Sequence, residues 1–304
     1  MQRRSFFLWG LGALFGAGVR ANALERGAAP RHFNLKERIV KLNNGCEMPV
    51  LGLGTYSVKG EACVRTVEGA LKLGVRLIDT ATVYGNEHEV GEGVRAAVRG
   101  GIPREEIFIT SKLYPNEFDD AERAIDRSLE RLDVGRLDLM LLHHPGSDDA
   151  AAYRAVERAV SDGRIRSVGL SNWYVRELTD FLPRVETPPV LVQNEIHPYY
   201  QEKEVVPFIR KHGIVVQGWY PFGGRGWTKD VLGNETIGRI AAAHGKTAAQ
   251  VILRWNLQRE VAVIPGSSNL AHVRENLDVF DFSLSAEEMA AIAALDRGEK
   301  HDWY

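Results

Sequence analysis

The sequence predicts an α/β fold in which eight strand-then-helix units close into a parallel barrel, and three features carry that reading. Apolar runs of strand length alternate with amphipathic stretches of helical period across residues 36–298. The strand runs are nearly continuous in apolar residues, as they must be when both faces of a parallel sheet are covered. No GxGxxG turn follows the first strand, where "GLGTYSVKG" stands instead, which disfavours an open doubly wound sheet.

Taken in order, "RIVKLNNGCEMPVLGLG" reads as a hairpin turning at Asn44-Gly45, placed as a plug over the N-terminal end of the barrel. Strands are expected at Leu51–Gly54, Val75–Asp79, Ile107–Ser111, Leu137–His143, Ile165–Ser171, Val190–Glu195, Ile214–Trp219 and Val261–Pro265. Helical patterns lie between them at Cys63–Lys72, Glu87–Val98, Ala121–Leu132, Ala150–Ser161, Val175–Phe181, Lys203–Lys211 and Ala248–Gln258. Gly74, Gly163 and Gly213 follow helices directly, as C-cap glycines do. Leu284–Leu295 is an extra C-terminal helix. The expectation is a (β/α)8 TIM barrel with an N-terminal β-hairpin plug, one domain over residues 36–298, and a short tail at 299–304 whose end, His301-Asp302-Trp303-Tyr304, either closes over the site or frays, with fraying favoured for its four-residue length.

Composition is that of an ordinary globular chain, with 44% hydrophobic and 26% charged residues and a net charge of −2. Residues 1–23 contribute Arg3, Arg4 and Arg20 and no acid, so the remainder stands at −5, and nucleic acid is excluded as a partner. Two cysteines, Cys46 and Cys63, build neither a disulfide framework nor a zinc site. The leader "MQRRSFFLWGLGALFGAGVRANA" has a basic start, an apolar stretch and an A-x-A end, the three parts of a signal peptide. Its Arg3-Arg4 pair resembles a twin-arginine signal, which implies a bacterial source, the twin-arginine export machinery as a partner and a periplasmic or exported location. The alternative is a cytoplasmic protein, or one anchored by an uncleaved leader. The mature chain is expected to have no stable membrane span and to be a monomer.

In such a barrel, chemistry belongs at the C-terminal strand ends. There the chain places Asp79, Lys112, His143, His144, Ser171, Asn172, Gln193 and Trp219, with Tyr84 in the turn after Asp79. Singly each has an ordinary role open to it, such as a cap for Asp79 or a solvated charge for Lys112. Together they make a carbonyl-reduction site. A phenol of pKa about 10 is a poor acid, and Lys112 beside it is expected to lower that value. Asp79 would keep the lysine charged, and His143 would orient the carbonyl oxygen that Tyr84 protonates while a hydride reaches the carbon.

Seven blocks carry a further resemblance: "GLGT" at 52–55, "DTATVYGNE" at 79–87, "TSKLYP" at 110–115, "LDLMLLHHP" at 137–145, "GRIRSVGLSNW" at 163–173, "VQNEIHPYYQ" at 192–201 and "IPGSSNLAHVRENLDVFDF" at 264–282. In this order they resemble the aldo-keto reductase superfamily over residues 36–296. The resemblance implies the tetrad Asp79, Tyr84, Lys112 and His143 and a nicotinamide cofactor held without a Rossmann fold. It implies that Ser171, Asn172 and Gln193 bond the carboxamide, and that Trp219 stands where relatives stack a tyrosine on the ring. The segment "PFGGRGW" at 221–227 would cover the pyrophosphate with Arg225 as counter-charge. Ser267, Ser268 and Asn269 would meet phosphate at a helix start, and Glu275 and Asn276 the adenine.

The chain departs from the pattern at Gly266 and His272, where NADP-preferring relatives commonly carry Lys and Arg. NADP(H) is favoured on family grounds, with NAD(H) the alternative. Tyr56, Tyr114, His144, Trp173 and Trp227 are expected to wall the substrate pocket, with His144 in place of a common tryptophan. The function expected is reduction of an aldehyde or ketone, or the reverse. A cofactor-binding redox-sensing module competes with it, and a barrel hydrolase is weaker because no paired carboxylates or metal ligands stand at the strand ends.

Overall fold

The structure is a computed structural model that describes residues 33–302; the leader at 1–23 lies outside the described residues. Strands β1 (Phe33–Asn34), β2 (Ile39–Lys41) and β3 (Glu47–Pro49) form a small antiparallel sheet. The eight barrel strands are β4 (Leu53–Gly54), β5 (Leu77–Asp79), β6 (Phe108–Leu113), β7 (Leu139–Leu142), β8 (Val168–Ser171), β9 (Leu191–Glu195), β10 (Val215–Trp219) and β11 (Val261–Val263). Each pairs in parallel with its neighbour in chain order. The sheet curls back on itself through bridges from Leu51 to Val263 and from Gly54 to Gly266. The expected strands all form, most of them starting one to three residues later than expected, while β6 runs on to Leu113 and β7 and β11 end one and two residues early.

Helices α1 (Gly60–Lys72), α2 (Glu87–Arg99), α3 (Ala121–Leu132), α4 (Asp149–Ser161), α5 (Val175–Phe181) and α6 (Val205–Lys211) follow successive strands. The apolar spacing explains them: α3 buries Ala121, Ala124, Ile125, Ser128 and Leu132, one face of a 3.6-residue period. After β10 come α7 (Thr228–Leu232) and α8 (Glu235–His244), which were not expected, then α9 (Ala248–Gln258). The glycine-rich start of that segment hides α8, yet Asn234 caps it by accepting from Thr236 and Ile237, and Ile237, Ile240 and Ala241 pack under it. Helices α10 (Leu270–Leu277) and α11 (Ala286–Ala293) end the set.

Two apolar layers share the strands by their two-residue alternation. Outward residues such as Ile78, Ile109, Met140 and Val192 pack under the helices. Inward residues such as Leu77, Leu139, Leu141, Leu191 and Val215 join Val40, Leu42 and Met48 of the hairpin. The hairpin thus closes the N-terminal end, and Asn43 and Asn44 tie it by donating to Pro189 O at 2.9 Å and Ser167 Oγ at 2.9 Å.

One close approach gives a stability test. A Cβ at Gly91 in α2 would lie 1.9 Å from Leu132 O, where α2 crosses the end of α3, whereas one at Gly238 in α8 meets nothing within 4 Å. Gly91→Ala is expected to cost about 1–3 kcal/mol by forcing the helices apart, and Gly238→Ala to gain about 0.5–1 kcal/mol from helix propensity. Urea unfolding midpoints moving the same way in both variants would refute this account.

Candidate active site

The inner columns of the strands change character along their length. Leu77 is followed two residues on by Asp79, Leu139 and Leu141 by His143, Leu191 by Gln193 and Glu195, and Val215 by Gln217 and Trp219. Apolar residues fill the plugged end and polar ones the C-terminal end, so a buried polar layer sits at the mouth. Strand register then brings groups together: Ser171 lies opposite Gln193, and Gln193 opposite Gln217.

At its centre Lys112 Nζ donates to Asp79 Oδ1 at 2.5 Å and to Thr80 O at 2.8 Å, with both charged side chains essentially out of solvent. Gln193 Nε2 donates to the other Asp79 oxygen at 2.8 Å and to Gln217 Oε1 at 2.7 Å. Lys112 Nζ also reaches Tyr84 Oη at 3.3 Å. Tyr84 closes a 3-10 turn, Thr82–Tyr84, that ends on Gly85 at φ 62°, a left-handed conformation glycine adopts without strain. That turn is held from both sides. Thr82 donates to Lys112 O at 3.0 Å and to Glu117, while Asn86 donates to Thr55 O at 2.9 Å and Val58 O at 2.8 Å. The phenol therefore faces the lysine because the turn is nailed to β6 and to the loop after β4.

Burial dominates the electrostatics. It pushes the Asp79 carboxyl up and the Lys112 ammonium down, and each partner pulls the other back toward its charged form. The Tyr84 phenol stands well above its ordinary value, through burial first and then the negative charge of Asp79. This reverses the expectation that Lys112 lowers it. Lys112 gives its shorter bonds to Asp79 and Thr80, so its charge is already compensated, while a phenolate in the same site would be desolvated. His143 is held well below its usual value by burial, then by Lys112 and His144, and is neutral. His144 is down to about 4, by burial, Lys300 and Lys112.

A cavity of about 660 Å³ opens above this layer. Of the expected residues, Asp79, Tyr84, His143, Ser171, Asn172, Gln193, Trp219, Arg225, Ser267, Ser268, Tyr56, Tyr114 and His144 line it. Lys112 sits behind Asp79 and Tyr84, wholly buried. Asn269 instead caps α10 by accepting from Ala271, His272 is exposed on the same helix, and Asn276 is buried in it. Glu275 accepts from Thr247 Oγ1 at 2.6 Å, tying α10 to α9. Trp173 does not wall the pocket as expected: it is fully buried against Phe181, because the turn after Ser171 sends it outward under the helices. Trp227 is exposed at the rim, its ring stacked on His301 at 4.3 Å.

Sequence reasoning missed Tyr220, which lines the cavity in a left-handed conformation, φ 50°. It also took the tail for a frayed end. His301 and Asp302 are instead anchored, donating their backbone N–H groups to Glu195 at 2.7 and 3.0 Å, and both line the cavity. The signal was present in Glu195, a carboxylate at a barrel strand end that has to find donors.

The lining fits a nicotinamide carboxamide. Both Gln193 N–H groups are spent on Asp79 and Gln217, so its oxygen is left to accept, and Ser171 opposite has a hydroxyl proton to donate. A donor and an acceptor side by side match a primary amide. Asn172 serves as a strut: it donates to His143 O at 2.9 Å and Ser171 Oγ at 3.2 Å and accepts from Trp219 Nε1 at 3.2 Å, fixing the indole at the cavity wall.

Comparison with known proteins agrees with this geometry. The Aldo/keto reductase family profile matches residues 50–297. The chain is 40% identical over 277 residues to morphine 6-dehydrogenase of Pseudomonas putida, covering 86% of this chain and 93% of that protein. It is 42% identical over 265 residues to glyoxal reductase of Bacillus subtilis, covering 86% and 94%. The NAD(P)H-dependent D-xylose reductase I,II of Candida tropicalis is 36% identical, over 87% and 95%. The crystal structure of an aldo-keto reductase from a Medee basin deep-sea metagenome superposes with a TM-score of 0.82 at 38% identity, over 86% of this chain and 96% of that one. With its barrel, its polar mouth and its relatives all in accord, the chain belongs to the aldo/keto reductase family and is an NAD(P)-dependent oxidoreductase of carbonyl compounds.

Proposed function

We propose that this enzyme reduces its aldehyde or ketone with Tyr84 as general acid, Lys112 and Asp79 behind it, and His143 as the group that orients the carbonyl oxygen. The observation that carries the proposal is the buried chain from Asp79 through Lys112 to Tyr84, with contacts of 2.5 and 3.3 Å. When bound, the nicotinamide supplies the hydride. Tyr84 Oη gives its proton to the oxygen of the carbonyl, and Lys112 faces the phenolate left behind. A raised phenol pKa suits this task, because a developing alkoxide is a stronger base than a phenolate and takes the proton only in the transition state. Neutral His143 has one N–H to offer the same oxygen.

NADP(H) is the favoured cofactor, NAD(H) the alternative. Ser267 and Ser268 at the cavity edge offer hydroxyls to a 2′-phosphate, while Gly266 and the exposed His272 stand where relatives supply cations, so the preference is modest. Arg225 would counter the pyrophosphate. It lies on the cavity rim, donating to Ser57 Oγ at 2.5 Å. The basic start, apolar stretch and A-x-A end of the leader, with its Arg3-Arg4 pair, support twin-arginine export to the periplasm.

Tyr84→Phe is expected to lower kcat for reduction at least about a thousandfold while leaving cofactor affinity within about twofold, and Lys112→Met to lower kcat similarly. Turnover retained in either variant, measured with a simple aldehyde, would reject the assignment. The raised Tyr84 pKa has a sign that can be read. Reduction, which needs the protonated phenol, is expected to hold through neutral and mildly alkaline pH, whereas alcohol oxidation, which needs the phenolate, climbs with pH. An oxidation rate that falls over that range would contradict it.

Titrating the leader-free protein with NADPH and NADH while following tryptophan fluorescence is expected to show quenching, with NADPH tighter by no more than about tenfold, one unmade charge contact's worth. Tighter NADH binding would overturn the preference. Replacing Arg3-Arg4 by a lysine pair is expected to keep the protein in the cytoplasm, and unchanged export would exclude the twin-arginine route.

A further inference from the structure

The last described residues form a strap. From Asp296 to Asp302 the chain runs back along the segment that follows β9 toward the cavity mouth. Gln201 N–H donates to Asp296 at 3.3 Å, and Lys203 pairs with the same carboxylate at 3.0 Å. Arg297 and Glu299 donate to Tyr199 O at 2.9 and 3.2 Å, with the Arg297 guanidinium 3.7 Å above the Tyr199 ring. The strap ends on Glu195, which takes the two backbone N–H groups of His301 and Asp302 together with His197 Nε2 at 3.0 Å. Glu195 is fully buried, and the tail provides two of these three partners. A carboxylate so placed is costly to strip of its donors, so the tail end is bound more firmly than its length implies.

The strap also grips the loop after β10. The His301 ring is sandwiched between His197, at 4.2 Å, and Trp227, at 4.3 Å and 13° from parallel. Its Nδ1 lies 2.8 Å from Gly223 O, an acceptor only, so that nitrogen donates. Gly223, Gly224 and Gly226 all have positive φ, at 83°, 71° and 80°. Such a segment keeps little shape of its own and is held where its neighbours hold it. On the far side Arg225 reaches Ser57 and lies over the Tyr56 ring at 4.6 Å, so the loop spans the cavity between two attachments.

We propose that His301 is a positioning residue that latches this loop: its imidazole, wedged between His197 and Trp227, ties residues 221–227 to the tail anchored on Glu195, so that cofactor exchange requires the loop to let go of the His301 ring. The proposal rests on the reading of that loop as the cover of the cofactor. Glu195, His197 and His301 also bring a carboxylate and two imidazoles within 4.8 Å of one another, but they do not make a metal site. The stacked rings, 23° apart, point their lone pairs along nearly parallel planes, and both His197 nitrogens are already engaged, with Glu195 and with Tyr199 N.

The test uses the leader-free protein and its His301→Ala, Trp227→Ala and double variants, in two measurements. Hydrogen exchange of the cofactor-free protein reads the loop directly: amides of 221–228 are expected to exchange about tenfold faster in each single variant. Stopped-flow release of NADPH reads the consequence, also about tenfold faster in each. The double variant is expected to match His301→Ala, because that substitution already removes the stack that Trp227→Ala breaks, whereas two unrelated structural defects would multiply. Unchanged loop exchange overturns the latch, and faster exchange with unchanged release overturns its link to cofactor exchange. If the unaltered protein fails to bind NADPH and NADH, the cofactor reading falls, and exchange in the loop still decides whether the tail holds it. Trp227 is exposed, so its variant keeps the test open even if loss of His301 disturbs folding.

Discussion

The Asp79–Lys112 pair is the constraint around which the mouth of this barrel is arranged. Two opposite charges without access to water are tolerated only when each is bonded on every side, and breaking such a pair costs on the order of 3–5 kcal/mol. Here Gln193 occupies the second carboxylate oxygen and Thr80 O a second ammonium proton. Those partners in turn impose order: Gln193 is bonded to Gln217, and Thr80 Oγ1 donates to Asn86, which fixes the loop that carries Tyr84. The reacting group is thus set by a network whose first requirement is to neutralise buried charge.

That network works because the barrel's interior is divided along its axis. The hairpin and the apolar inner residues fill one end, which removes water from below, and the strand ends present their polar residues to a cavity above. Desolvation then decides the protonation states. It keeps the phenol protonated and both His143 and His144 neutral, so the resting site offers a proton donor and a neutral N–H donor at one place. An ammonium beside a phenol is not enough to acidify it when a carboxylate stands closer to the ammonium than the phenol does. The acid's strength is called on only as charge develops on the substrate oxygen.

The same principle reappears at the rim. Glu195 is a second buried carboxylate at a strand end, but it has no lysine, and it is satisfied by backbone N–H groups of the chain's own tail and by His197. Its need for donors draws His301 and Asp302, at a tail end that would otherwise fray, into the cavity wall, and through the His301 ring it reaches the loop on the neighbouring strand.

The sequence by itself determined the eight-unit barrel, the hairpin plug and the residues at the strand ends. Those properties follow from local periodicity: the alternation within strands and the 3.6-residue spacing in helices depend only on near neighbours. Asp79, Lys112, His143 and Gln193 were legible because strand ends in such a barrel converge whatever the loops do. What only the tertiary structure decided were contacts between segments far apart in the chain. The anchoring of His301 and Asp302 on Glu195, the turning of Trp173 into the core and the entry of Tyr220 into the lining depend on which way a loop leaves its strand. The raised pKa of Tyr84 belongs with them, since desolvation is a property of everything packed around a group and of no short stretch of sequence.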